Sequence, residues 1–216
     1  MIEELYRRAL RCRICFAEQT RLTAPIIDLA QPRWVGSRYS GASPRVTFLM
    51  LNPGAGESSK DAGNRAAREL LVKFRDGRAS FPEVLAFQRQ HMESWGKPAG
   101  RFLRFYIRGL GLELEEVAFL NIALCATAGN RYPKRMLNRC FVDHSGEILR
   151  QLDPSLVVLC GVSARRFAPK IEALCPRARV VPMLHHSHRE GRRVETREQA
   201  RLREVIDALA QTPERV

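Results

Sequence analysis

Four short apolar runs constrain how this chain can fold: RVTFLMLN (45–52), VAFLNIAL (117–124), SLVVLCG (155–161) and ARVVPML (178–184). Runs of this length without polar alternation are what strands buried on both faces require. Helical patterns lie between them. AGNRAARELLVKFRDG (62–77) ends at Gly77, a suitable C-terminal cap; PKRMLNRCFVDHSGEILRQL (133–152) opens with Pro133 at a plausible first helical position; SARRFAPKIEAL (163–174) offers Ser163 as N-cap. Strand and helix in alternation imply right-handed crossovers and parallel pairing. The expectation is an α/β chain, a three-layer α/β/α sandwich around a central four-stranded, mainly parallel sheet. A single domain over 1–216 is expected, with an N-terminal helix and cysteine pair in 1–20 and a helical insertion over 80–111.

Composition narrows the function. The net charge of +13 creates a field that attracts polyanions at ordinary salt, so nucleic acid is the expected partner. Basic residues are densest in NRYPKRMLNR (130–139) and HREGRRVETREQARLR (188–203), each following an expected strand. No run has the length of a membrane span, and MIEELYRRAL carries acidic residues where a leader needs an apolar centre. A cytoplasmic monomer with no membrane partner is expected. In a reducing compartment the six cysteines are free, catalytic or metal-bound, with Cys160 and Cys175 reading as small buried hydrophobes.

In a parallel sheet, ligands bind beyond the carboxyl ends of the strands, which directs attention to LNPGAGESS, NIALCATAGNRYPKRMLNRC, GVSARR and LHHSHREGRR. PGAG lacks both the Gly-Lys-Ser/Thr ending of a nucleotide loop and the G-x-G-x-x-G spacing of a dinucleotide fold, so a triphosphate site is not expected. Cys12 and Cys15 form a C-x2-C pair too short for a useful disulfide, while a thiolate metal site needs ligands from farther along the chain. Cys125 and Cys140, spaced C-x14-C, are the candidates.

With these four cysteines the sequence resembles the iron-sulfur uracil-DNA glycosylases. CFAEQTR is similar to that family's continuation after its second cysteine, with Thr20 and Arg21 in step, and NIALCATAGNRYPKR aligns Asn121, Cys125, Asn130, Arg131 and Pro133 with a family motif. LNPG falls at the superfamily's first motif and HHS at its second. The resemblance implies a DNA glycosylase that initiates base excision repair, and a [4Fe-4S] cluster on Cys12, Cys15, Cys125 and Cys140, an arrangement zinc could also occupy.

It also implies roles. Asn121 would read the base edge, because a carboxamide offers donor and acceptor together, and Leu51 would line the base. Asn52 would position water, and His185 would donate to the departing base. Pro53, Gly54, Arg131, His186, Ser187, His188 and Arg189 would meet DNA. The departures are as informative. Met50 and Leu51 replace the Glu and Gly of the iron-sulfur branch, and LNPG looks instead like the mismatch-specific and single-strand-selective branches. Gly54 stands where strict uracil enzymes carry a Tyr. The expected base-stacking Phe falls near Asn64, which leaves Phe74, Phe81 and Trp34 as substitutes. Three other readings remain: a glycosylase for hypoxanthine, xanthine or mismatched thymine, a catalytically silent iron-sulfur DNA-binding protein, and a metallohydrolase built on His185, His186 and His188.

Overall fold

A computed structural model describes residues 1–17, 24–54, 62–93, 95 and 100–211. Thr20 and Arg21 lie outside the described residues. Each of the four apolar runs forms a strand: β2 (Val46–Met50), β3 (Val117–Asn121), β5 (Leu156–Cys160) and β6 (Arg179–Met183), numbered with two shorter strands, β1 (Pro25–Ile27) and β4 (Ala126–Thr127). The larger sheet has the order β3-β2-β5-β6, with β5 parallel to both β2 and β6. The three-layer α/β expectation is met, with helices around a four-stranded parallel sheet. Every residue of β2, β3 and β5 is buried, whereas β6 alternates and places Pro182 on a sheet edge, where a missing N–H is tolerated. The run at 117–124 stops being strand at Asn121. Beyond it, the N–H groups of Ile122 and Ala123 donate to the carbonyls of Met50 and Leu51. β1 and β4, which the sequence pattern did not reveal, pair antiparallel as a separate two-stranded sheet.

The helices are α1 (Ile2–Leu10), α2 (Ala62–Arg75), α3 (Phe81–Met92), α4 (Arg101–Tyr106), α5 (Lys134–Cys140), α6 (Gly146–Leu152), α7 (Val162–Arg165), α8 (Ala168–Leu174) and α9 (Arg192–Ala210). Gly77 caps α2 at φ 75°, with its N–H on the Phe74 carbonyl and the Arg78 N–H on that of Lys73. The helix read over 133–152 is continuous but contains a π-turn at Phe141–Ser145, while that read over 163–174 divides into α7 and α8. Helix α9 lies in the basic segment 188–203 and beyond, where the sequence pattern did not reveal a helix. Among the described residues, no helix is long and apolar enough to cross a membrane.

The chain forms two compact units. The first comprises Met1–Arg33, Met50–Phe87 and Leu120–Gln151, the second Trp34–Leu49, Gln88–Phe119 and Leu152–Val216. In the first, Tyr6 of α1 lies 5.6 Å from the Phe81 ring, Phe81 stacks on Phe74 at 5.8 Å, and the Arg7 guanidinium covers Phe74 at 4.2 Å. In the second, Phe48, Phe102, Tyr106 and Phe119 form a contiguous aromatic core.

One glycine of the second unit sets the approach of the candidate residue His185. Gly161, which ends β5, has φ 91°, and a Cβ there would stand 3.1 Å from Cβ of His185. Gly161→Ala should therefore destabilise the fold by about 1–3 kcal/mol, combining strained backbone with a forced displacement of His185. An unchanged denaturant midpoint would contradict this.

Candidate functional site

Each unit carries its own cluster of candidate side chains. In the first, Cys12 and Cys15 follow α1, Cys125 precedes β4 and Cys140 ends α5, and all four line one cavity with Met136, Asp143 and His144. Burial pushes the Cys140 thiol up to about 12, against the Leu124 N–H that donates to its Sγ at 3.3 Å. Cys125 is pushed well above the ordinary thiol range by burial, then by Cys140, Cys15 and Cys12; Cys15 is raised by burial, then by Cys12. The thiols of Cys15, Cys125 and Cys140 thus share an apolar space in which a thiolate needs a cation to form. The π-turn adds a residue to the helix just after Cys140. His144, which it carries, has both ring nitrogens buried with no hydrogen-bond partner among the described residues. As they stand, no three His, Cys, Asp or Glu among the described residues are grouped tightly enough to hold a metal ion. The set of soft donors around one cavity nevertheless fits an iron-sulfur cluster or zinc in chemical type.

The second cluster of this unit is built from asparagines at strand ends. Asn121, only 1% exposed, ends β3. Its Oδ1 accepts from Arg33 Nε at 2.7 Å and its Nδ2 donates to the Asn52 carbonyl at 3.2 Å. Amide orientation is fixed by partners, and this one satisfies both ends. The Asn52 Nδ2 donates to the Pro53 carbonyl and to Asn130 Oδ1, both at 3.1 Å. Asn130 reaches Asn52 from a left-handed turn, φ 52°, a conformation asparagine tolerates. Its loop is fixed by Tyr132, whose hydroxyl accepts from the Thr127 N–H at 3.1 Å, donates to the Cys125 carbonyl at 3.2 Å and also bonds the Asn52 side chain. Arg131 is exposed.

The second unit carries the histidine run after β6. The Ser187 N–H donates to His185 Nδ1 at 3.3 Å, and Ser187 Oγ lies 2.6 Å from the same atom. A backbone N–H can only donate, so Nδ1 is the acceptor and the neutral ring carries its proton on Nε2. Burial, then His188 and Arg101, lower the His185 pKa. The backbone N–H of His186 donates to the buried Tyr106 hydroxyl at 3.0 Å, and its ring lies edge-on to Phe102 and Tyr106. Burial, followed by His185, pushes its pKa down to about 3. His188 packs on Phe105 with Nε2 3.6 Å from Glu195, which also pairs with Arg101 at 3.3 Å.

A model of the uracil DNA glycosylase superfamily matches residues 38–210. The chain belongs to that superfamily. Its members are DNA glycosylases, hydrolases that act on damaged bases, so DNA is a natural partner. A search of curated proteins finds no match. The matched span includes Asn52, Asn121 and His185 but not Cys12, Cys15 or Arg33.

Several side chains of this superfamily member stand otherwise than expected. His186 and His188 turn into the aromatic core, leaving Ser187 and Arg189 as the exposed members of the run. His185 Nδ1 bonds Ser187 and His188 Nδ1 accepts from the Glu190 N–H, whereas His186 Nδ1 is buried with no hydrogen-bond partner among the described residues; no three His, Cys, Asp or Glu among the described residues are grouped to hold a metal ion. Phe74 is fully buried, Phe81 is stacked on it, and Trp34 is 4% exposed with its indole N–H on the Leu114 carbonyl, so none of them is presented as a base stacker. Cys160 and Cys175 are buried as expected. Arg33, Tyr106 and Tyr132, which the sequence did not single out, bond the candidate residues Asn121, His186 and the Cys125 carbonyl. For Tyr106 a signal existed, since Phe102, Phe105 and Tyr106 share the i, i+3, i+4 spacing of one helix face.

The lowered histidine pKa values predict a pH dependence. Below the ordinary imidazole value of 6.5 an unfolded chain binds protons at His185 and His186 that the folded chain does not. Their contribution to stability is therefore full above pH 6.5 and is lost as pH falls toward about 3, where folded His186 protonates as well. Tm should decline across that window, and His186→Phe should flatten the decline. Parallel Tm profiles for the two proteins would refute it.

Proposed function

We propose that this chain is an iron-sulfur DNA glycosylase that hydrolyses the N-glycosidic bond of uracil, or of another deaminated base, in DNA. The observation that carries the reading is the asparagine pair at the strand ends, the buried Asn121 amide held to present a donor and an acceptor and the half-buried Asn52 amide anchored through its Nδ2, within a superfamily of glycosylases. The target base leaves the stack and is read at its Watson–Crick edge by Asn121, against Leu51. Asn52 Oδ1 orients a water toward the sugar C1′. As the C1′–N bond breaks, its electron pair goes to the base, and the Nε2–H of neutral His185 donates to the base oxygen that gains charge. Water oxygen bonds to C1′ and its proton goes to solvent, because an amide cannot take it. Gly54, exposed beyond the buried Pro53, would press on the DNA backbone, with the exposed Arg131, Ser187 and Arg189 at phosphates.

Cys12, Cys15, Cys125 and Cys140 would hold the [4Fe-4S] cluster, which supplies the cation these buried thiols need and ties the residues after α1 to the loop before β4. Ligation is also folding energy. Replacing any one of the four by Ala should lower iron content, absorbance near 400 nm and solubility together, whereas Cys175→Ala should leave iron unchanged. Full iron retention in Cys140→Ala would overturn the ligand set, and zinc in a colourless protein would replace the cluster.

The space at Gly54 supports a second substrate class. A Cβ at Gly54 would meet nothing within 4 Å among the described residues. Exclusion of one methyl is worth only about 1–3 kcal/mol even where a blocking side chain exists, so hypoxanthine, xanthine and mismatched thymine belong in the assay beside uracil. Wild-type protein should release uracil or a deaminated purine from oligonucleotides in single turnover. His185→Ala should lower that rate about a hundredfold or more, the loss associated with one preorganised donor, with little change in DNA affinity. Wild-type protein that binds DNA and releases no base would make the chain a silent binding module.

A further inference from the structure

We propose that Arg33 fixes which base edge Asn121 can read, making it a positioning residue for base choice; this rests on the glycosylase reading above. The two ends of an asparagine amide are alike in shape and opposite in chemistry. Uracil presents an acceptor at O4 and a donor at N3, whereas cytosine presents a donor at N4 and an acceptor at N3. An Asn121 free to turn over could therefore match either base, and its sequence identity alone does not select uracil.

The fold supplies the selection. Arg33 Nε–H donates to Asn121 Oδ1 at 2.7 Å, and on the other side the Asn52 carbonyl accepts from Nδ2 at 3.2 Å. Turned over, the amide would set its NH2 against a guanidinium N–H and its oxygen against a carbonyl. Those two like-to-like contacts would be made by a side chain 1% exposed, where water cannot relieve them. In the held orientation Oδ1 keeps a second lone pair and Nδ2 a second proton, the acceptor and donor that uracil complements.

Arg33 is itself held. It is 9% exposed, and its backbone N–H donates at 3.3 Å to the hydroxyl of Tyr6, a fully buried residue of α1. A cation on the amide oxygen also polarises the amide, so the free Nδ2–H becomes a stronger donor as charge grows on the departing base. Arg33 acts on the base only through Asn121.

The test is the ratio of single-turnover excision of uracil to that of cytosine, measured for wild type, Arg33→Met and Arg33→Lys. Lysine keeps the cation but puts a methylene where Nε–H stands, and it serves if the Met variant does not fold. Both variants should lose about tenfold in the ratio, the scale of one matched donor–acceptor pair. The Asn121 side-chain amide resonances should shift in the 15N spectrum of each variant. A purely structural role would lower both rates together. An unchanged ratio with unmoved Asn121 resonances overturns the role of Arg33 and leaves the glycosylase reading intact, whereas a wild-type chain that releases no base overturns both.

Discussion

Burial of whole strands is the constraint on which this chain depends. Every residue of β2, β3 and β5 is inaccessible, so these strands carry almost no chemistry of their own. The buried hydroxyl of Thr47 is accommodated only because Tyr39 Oη lies 2.8 Å from it. Polar groups collect where the strands stop and backbone partners run out: Asn52 after β2, Asn121 ending β3, Gly161 after β5 and His185 after β6. The same hydrophobic demand that builds the sheet thus sets where reactive side chains can stand.

Desolvation then sets their charge states, and it acts in opposite directions on the two kinds of ionisable group. It raises the thiols of Cys15, Cys125 and Cys140 and lowers the imidazoles of His185 and His186, so both clusters are driven toward neutrality. For the histidine this gives a neutral ring whose proton sits on Nε2, a donor that needs no protonation to work. For the cysteines it creates a standing demand for positive charge. Arg33 is a guanidinium retained in the buried interior, where its Nε–H meets an amide oxygen.

The larger features were legible in the sequence because burial writes itself as periodicity. Four apolar runs gave four strands, Gly77 marked its helix end, and Asn52, Asn121 and His185 fell at strand termini because the motifs place them there. What was illegible arises from contacts distant in sequence. Nothing local in AQPRWVG announces that Arg33 meets Asn121, and nothing in CATAGN distinguishes the two-residue strand β4 from a loop. The inward turn of His186 and His188 depends on rings contributed by α4. Helix α9 was obscured because so many arginines read first as a charge patch and only then as one face of a helix.

The Tyr132 hydroxyl joins groups that are otherwise argued separately. It takes the Thr127 N–H, gives its proton to the Cys125 carbonyl and bonds the Asn52 side chain. The loop that carries Cys125 and the Asn52 amide therefore meet at one oxygen atom. Substitutions on the two sides of that atom will not act independently: a change that lets Cys125 drift also releases Asn52, and their free energies will couple instead of adding. For a chain read as a repair enzyme, a disturbance of the Cys125 loop would then be felt at the reacting sugar.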